Sequence, residues 1–208
     1  MPKVILLNGS PNENGTTYRA LSMVRDTLIE EGIEAKIIHV SGEAVRGCTA
    51  CGGCKKLGRC VYNDDLVNEV AALLDDADGI VLGSPVYYAS PNGNFLSFLD
   101  RLFYSSSRAG KLMKVGASVV CARRGGTTAS FDVLNKYFTI SGMPVVSANY
   151  WNGVHGKGGD DALSDLEGMQ TMRILGRNMA FLIKAIALAK DTIPLPTPED
   201  KIYTNFIR

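Results

Sequence analysis

Polar flanks bracket the apolar run Val4-Ile5-Leu6-Leu7, and from there strand-like and helix-like patterns alternate to residue 190. Lys3–Asn8 reads as a strand that ends in the turn Gly9-Ser10-Pro11. Over Thr16–Glu31, Leu21, Val24 and Leu28 recur at helical spacing, and Gly32 supplies the stop. Glu34–Val40 predicts a second strand, followed by a cysteine-rich loop over residues 46–63. Asp64–Asp76 predicts a helix, with Leu66, Val70, Leu73 and Leu74 on one face and acids in its first turn. Gly79–Gly83 is a short strand, apolar throughout, as expected of a parallel strand covered on both faces. Asn92–Tyr104 predicts a helix, Val115–Cys121 a strand, Ser130–Ser141 a helix, and Met143–Ala148 the fifth and last strand. In the long helix predicted over Ser164–Lys190, Met172, Leu175, Met179, Leu182, Ile183 and Ile186 share one side. Pro194, Pro196 and Pro198 make residues 191–208 an extended arm.

Five strands separated by helices imply an α/β fold, a parallel, doubly wound sheet with helices on both faces. Right-handed crossovers then deliver every strand-to-helix loop to the carboxyl edge of the sheet, where ligands of such folds bind. A length of 208 residues suits one domain spanning 1–208. With 22 Lys+Arg against 21 Asp+Glu the net charge is +1, which argues against a nucleic-acid footprint or polybasic membrane docking. The first apolar run is too short for a signal-peptide core and the longest, Ala180–Ala189, is broken by Lys184, so a cytoplasmic protein is expected.

The carboxyl-edge loops carry the candidate chemistry. The loop after the first strand, Gly9–Thr17, has neither a dinucleotide nor a nucleoside-triphosphate fingerprint. It runs into a helix N-terminus, where free N–H groups and the helix dipole favour an anion. Ser10, Asn12, Asn14, Thr16 and Thr17 add neutral donors, and the loop contains no Lys or Arg. That composition suits a phosphate monoester held by hydrogen bonds; a plain turn with an N-cap is the alternative. After the third strand come Pro85-Val86-Tyr87-Tyr88 and then Asn92-Gly93, where adjacent tyrosines offer a flat surface to a planar ring. After the fourth come Arg123-Arg124-Gly125-Gly126-Thr127, whose glycines allow close approach of backbone to a ligand.

Four of the five cysteines, Cys48, Cys51, Cys54 and Cys60, fall in a C-x2-C-x2-C-x5-C pattern. In a chain of this kind metal or redox use is expected rather than disulfides. Two consecutive x2 spacings bring three thiolates around one point, as iron–sulfur sites require; zinc, a redox dithiol or a purely structural loop remain alternatives. Arg46, Lys55, Lys56 and Arg59 surround them with positive charge. Cys121 stands apart and reads as a packed thiol, His39 as structural, and His155 as a surface residue near the ligand edge. No Ser-His-Asp arrangement is evident and no catalytic side chain is assigned.

Three segments together resemble the NADPH-dependent FMN reductase branch of the flavodoxin-like superfamily: Gly9-Ser10-Pro11 with Gly15-Thr16-Thr17, then Ser84-Pro85-Val86-Tyr87-Tyr88 with Gly93 and Phe98-Leu99-Asp100-Arg101, then Gly125-Gly126-Thr127 with Gly142-Met143-Pro144-Val145-Val146. The resemblance covers about residues 3–150. It implies a flavodoxin-like three-layer sandwich with strand order 2-1-3-4-5 and an FMN site. Phosphate contacts would fall on Ser10, Asn12, Asn14, Gly15, Thr16 and Thr17. Ring contacts would fall on Pro85, Val86, Tyr87, Tyr88, Asn92, Gly93, Arg123, Arg124, Gly125, Gly126 and Thr127. The cysteine spacing is similar to that of the iron-sulfur flavoproteins, which implies a four-iron–four-sulfur cluster on Cys48, Cys51, Cys54 and Cys60. The implied activity is FMN-dependent NAD(P)H oxidation with electrons passed to a quinone, flavin, azo compound or similar acceptor. Electron carriage between redox protein partners through FMN and the cluster is one alternative, and a non-enzymatic flavin-binding regulatory module another. Members of such families are commonly homodimers or homotetramers, and the proline-rich arm is a candidate for subunit contacts.

Overall fold

A computed structural model describes residues 1–107, 109–197, 199–200 and 202–204. Its elements in chain order are β1 (Lys3–Asn8), α1 (Thr16–Glu30), β2 (Glu34–His39), α2 (Cys54–Leu57), α3 (Val67–Asp76), β3 (Gly79–Tyr87), β4 (Ser90–Pro91), α4 (Gly93–Ser105), β5 (Val115–Ala122), α5 (Thr127–Ile140), β6 (Gly153–His155), α6 (Asp161–Ser164) and α7 (Leu166–Ala189). The main sheet is parallel in the order β2-β1-β3-β5-β6, and β4 pairs antiparallel with the end of β3. With β4 set aside as a hairpin arm, this is the order expected from the resemblance. The arm carries no helix or strand where it is described; Pro198, residue 201 and residues 205–208 of the expected arm lie outside the described residues.

Alternation along β1 divides the core in two. Val4 and Leu6 face α1 and α7, packing with Leu21, Val24, Leu28, Met172, Leu175 and Met179. Ile5 and Leu7 face the opposite layer, with Val70, Leu74, Phe95, Phe98, Leu102 and Phe138 from α3, α4 and α5. The methionine stripe of α7 is therefore covered by the sheet, and Met169, Met172 and Met179 are buried.

Helices α3, α5 and α7 start two or three residues from where the sequence placed them, and two strands differ more. β3 continues past Gly83 to Tyr87 and folds back through a two-residue turn, Tyr88-Ala89, into β4. Both turn residues have left-handed φ, 52° and 58°, the conformation that matches strand twist in a two-residue hairpin. The fifth strand expected over Met143–Ala148 is reduced to a single bridge, Val145 to Gly116, and the edge strand proper is β6. The cause is a register mismatch. Between the bridge and Val120↔Gly153, β5 advances from 116 to 120 while its neighbour advances from 145 to 153, four residues more. The excess loops out and leaves Tyr150 and Trp151 exposed.

The carboxyl ends of β1, β3, β5 and β6 meet on one edge. Gly9 N–H donates to the Gly83 carbonyl at 2.8 Å, extending the β1–β3 pairing into the first loop. A Cβ at Gly9 would overlap the Phe95 ring in the first turn of α4. Gly9→Ala is therefore expected to force Phe95 aside and destabilise the fold by ~1–3 kcal/mol. Thermal unfolding should show a Tm several degrees below that of the native protein; an unchanged Tm would mean that the loop has room there.

Candidate functional site

The first loop is built by its own polar side chains. Asn8 Oδ1 accepts from Ser10 N–H at 3.1 Å, and Asn8 Nδ2 donates to the Glu13 carbonyl at 3.0 Å. Ser10 Oγ accepts from Asn12 N–H at 3.1 Å, so its own O–H is still free to donate. His39 Nε2 lies 2.7 Å from the Ser10 carbonyl oxygen. A carbonyl only accepts, so this ring nitrogen carries a proton and His39 fixes the loop from β2.

α1 begins at Gly15 with no side-chain cap and no acid in its first turn. Its leading N–H groups are thus available to an anion. The Thr16 hydroxyl donates to the Gly158 carbonyl at 2.9 Å, tying the first loop to the segment after β6. Thr17 is buried beside Cys121. Burial pushes the Cys121 thiol up to about 12, opposed by its hydrogen bond with Thr17.

These residues line one open cleft of about 270 Å³, together with Pro85, Val86 and Tyr87 from β3 and Arg123 after β5. This volume is near the small end of ligand pockets, about 300–1,000 Å³. Ser10, Asn12, Gly15, Thr16, Thr17, Pro85, Val86, Tyr87 and Arg123 are thus brought together as the sequence suggested. The other candidates stand elsewhere. Asn14 is exposed outside the cleft wall, and Tyr88 projects from the hairpin turn fully into solvent. Asn92 is a buried N-cap whose Oδ1 accepts from Phe95 N–H at 3.0 Å, and Gly93 follows it in α4. Gly126, at φ 94°, accommodates the hairpin: a Cβ there would come within 2.9 Å of Ala89 Cα. The Arg124 carbonyl takes a hydrogen bond from His155 Nε2 at 3.2 Å, and Gly125 faces open space. Thr127 lines a second cavity of about 120 Å³ with Phe131, Tyr150, Trp151, His155 and Asp165.

Sequence reasoning missed Lys157. It lies between Gly156 and Gly158 beyond β6, all three line the cleft, and the segment rests against the first loop through the Thr16–Gly158 hydrogen bond. The only sequence signal was a lysine framed by glycines just past the last strand. With Arg123, Lys157 gives the cleft lining two positive side chains.

The cysteine loop is seated on α4. Asn94 Oδ1 accepts from Val45 N–H and Asn94 Nδ2 donates to the Glu43 carbonyl, each at 2.6 Å. Two turns later Arg101, 1% exposed, donates from Nε to Cys60 Sγ at 3.3 Å, from Nη1 to the Arg46 carbonyl at 3.2 Å, and to the Asp65 carboxylate. Asp65 belongs to the turn that the sequence assigned to a longer α3; it accepts from Val67 N–H at 3.1 Å instead. Asn68 holds Cys60 at both backbone atoms. Cys48, Cys51, Cys54 and Cys60 all line one small cavity with Tyr62, Arg101, Tyr104 and Ser105. Ala50, Gly52 and Gly58 have left-handed φ, as a chain doubling back on itself between ligands requires.

Among the described residues, no three His, Cys, Asp or Glu side chains converge as on a single metal ion. A polynuclear cluster spreads its thiolates further apart than one ion does. The donor set fits such a cluster: four soft ligands around one cavity, a buried guanidinium against one of them, and the buried Ser105 hydroxyl, which lacks a hydrogen-bond partner. The first cleft fits FMN in the same sense, its lining combining an uncapped helix start, a free Ser10 hydroxyl and Lys157 with Val86 and Tyr87.

Comparison with known proteins gives a family for the chain and relatives whose names mention both groups. Residues 2–158 match the model of the NADPH-dependent FMN reductase family. An iron-sulfur flavoprotein of Methanocaldococcus jannaschii is 33% identical over 195 residues, covering 88% of this chain and 98% of that protein. Among solved structures, RosB with bound 8-demethyl-8-formylriboflavin-5'-phosphate superposes with a TM-score of 0.70 at 14% identity, covering 100% of this chain and 94% of its own. A WrbA-like flavodoxin from Agrobacterium tumefaciens gives 0.60 at 18% identity, covering 88% and 97%. These two likenesses establish a flavodoxin-like fold.

Two outcomes follow from this geometry. Lys157→Ala should weaken FMN binding about tenfold, ~1.4 kcal/mol, while leaving riboflavin binding unchanged, because only FMN carries the phosphate. Equal loss for both ligands in fluorescence titrations would place Lys157 away from the phosphate. Cys121 should resist iodoacetamide in the folded protein at pH 8, since its thiol stays protonated until far above that pH. Peptide mass spectrometry showing Cys121 alkylated as readily as exposed Cys48 would contradict its burial.

Proposed function

The chain belongs to the NADPH-dependent FMN reductase family, in its iron-sulfur flavoprotein branch, and from that premise we propose an FMN-dependent oxidoreductase that takes electrons from NAD(P)H and delivers them to a quinone, flavin or similar acceptor. The observation that carries this reading is one cleft lined by an uncapped helix start, the free Ser10 hydroxyl, Val86 and Tyr87. Bound FMN supplies the hydride and electron chemistry, and the protein contributes position, hydrogen bonds and exclusion of water.

Ser10 and the first N–H groups of α1 hold the phosphate, with Lys157 as counter-charge. Val86 and Tyr87 hold the ring, and the hairpin behind them is fixed by Ser84, whose Oγ accepts from Asn92 N–H at 3.0 Å. Arg123 lies exposed at the cleft rim, where it can meet an anionic co-substrate. No side chain of the cleft is required to transfer a proton.

Cys48, Cys51, Cys54 and Cys60 hold a four-iron–four-sulfur cluster in this proposal; the relative's name supports an iron–sulfur centre, and the cysteine spacing supports these four as its ligands. Such a cluster supplies one-electron capacity. Exposure of Cys48 and Cys51 favours a second reading, in which the acceptor is a redox protein docking at that surface. Assembly into a homodimer or homotetramer belongs to the same proposal and is supported by exposed Phe181 and Leu188 on α7.

Protein purified without air should contain FMN and about four iron and four sulfide per chain, and should oxidise NADH or NADPH with quinone or ferricyanide as acceptor. Lack of turnover by the FMN-loaded protein would remove the enzyme reading. FMN without iron or sulfide would leave the reductase and remove the cluster.

A further inference from the structure

Below the cysteine loop, α4 presents residues 94, 97, 101, 104 and 105 on one side, spaced by three and four along the chain. Asn94 ties down the chain before the cysteines, at Glu43 and Val45. A Cβ at Gly47 would be 3.7 Å from Ser97 Oγ, so the loop lies directly over that turn. Arg101, Tyr104 and Ser105 line the cysteine cavity itself.

Two of these residues stand out: Arg101, whose donors are all taken up by the cysteine loop and the turn after it, and Ser105, whose hydroxyl is not taken up at all. Arg101 is buried, yet one of its donors ends on a sulfur, Cys60 Sγ, while the others gather the Arg46 and Tyr62 carbonyls and the Asp65 carboxylate. These partners span both ends of the cysteine segment, from residue 46 to residue 65. Ser105 is 9% exposed and borders the same cavity, and its hydroxyl has no hydrogen-bond partner. The next residue, Ser106, satisfies its hydroxyl at the Leu102 carbonyl in the ordinary helical way. An unpaired buried hydroxyl costs free energy, and such groups commonly mark where a ligand completes the bond.

We propose that α4 is the tuning element of the cysteine site: Ser105 Oγ donates a hydrogen bond to a sulfur of the bound iron–sulfur cluster, and Arg101 is the positioning residue that fixes Cys60 and closes both ends of the loop. The inference rests on the cluster reading of the preceding section. Its chemistry follows from charge. A cluster on four thiolates is anionic and becomes more so on reduction, so a hydrogen bond to its sulfurs stabilises the reduced form most and raises the potential. Helix α4 starts at the hairpin that walls the FMN cleft, so one rigid element supports both sites.

Ser105→Ala is the discriminating variant, because it removes a hydroxyl that has no partner in the apo chain. The apoprotein's Tm should be unchanged or raised, and the cluster's reduction potential, measured by spectroelectrochemical titration, should move to a more negative value with iron content intact. A lowered apo Tm would show that the hydroxyl is spent inside the protein, and an unmoved potential would show that it does not reach the cluster; either overturns the Ser105 assignment. For Arg101, Arg101→Lys keeps the charge but loses the fork. Limited proteolysis of the apoprotein should cut within residues 46–63 several-fold faster than in the native chain, and equal rates would overturn the positioning role. If native protein takes up no iron and sulfide under anaerobic reconstitution, the cluster reading itself fails and the tuning proposal falls with it, while the proteolysis result still decides whether Arg101 closes the loop.

Discussion

Parallel pairing of β1, β3 and β5 is the constraint from which the rest follows. Each strand must be reached by a right-handed crossover, so the chain leaves every strand at the same edge. Residues as distant as Ser10, Tyr87, Arg123 and Lys157 are thereby assembled around one cleft. The floor beneath them is rigid because β1, β3 and β5 are apolar and covered on both faces. At that edge backbone N–H groups emerge with nothing inside the protein to bond, and an anion is what they favour.

Helix α4 extends this logic to the cysteine loop. A 46–63 segment with little secondary structure of its own cannot hold four thiol groups around a cavity by packing alone. Its order comes from polar anchors at Asn94 and Arg101, with Asn68 of α3 holding Cys60 from the other side. Buried ion pairs such as Arg101–Asp65 seldom add much net stability, but they specify one geometry, and breaking one is costly. A ligand cage has use for that property.

The sequence revealed most of the fold because its signals were local. Apolar runs gave β1, β3 and β5, and 3.6-residue spacing gave α1, α4 and α7. It misplaced the edge strand because Gly153–His155 is three residues long and Met143–Ala148 is the more apolar segment. Only the register against β5 decides between them, and register is a tertiary property. Similarly, Asp65 looked like the first turn of a helix and is instead committed to Arg101 and Val67 N–H. In the site, residues within motifs were legible and residues supplied from elsewhere were not. Ser10 and Cys60 announce themselves by their neighbours in the chain. Lys157 and Ser105 gain meaning only from what the fold places beside them, and Asn92 and Gly126 have structural contacts of their own, at the α4 cap and against the hairpin. Tyr88 shows the limit of reading by type, because of two adjacent tyrosines one ends β3 and lines the cleft while the other sits on the turn in solvent.

The central claim is that one carboxyl edge holds a flavin and the neighbouring loop holds an iron–sulfur cluster. The visible spectrum of protein isolated in the absence of air addresses both at once. Resolved flavin bands over a broad brownish absorbance are the expected result. A colourless protein whose spectrum does not change on addition of FMN would contradict the account at its base.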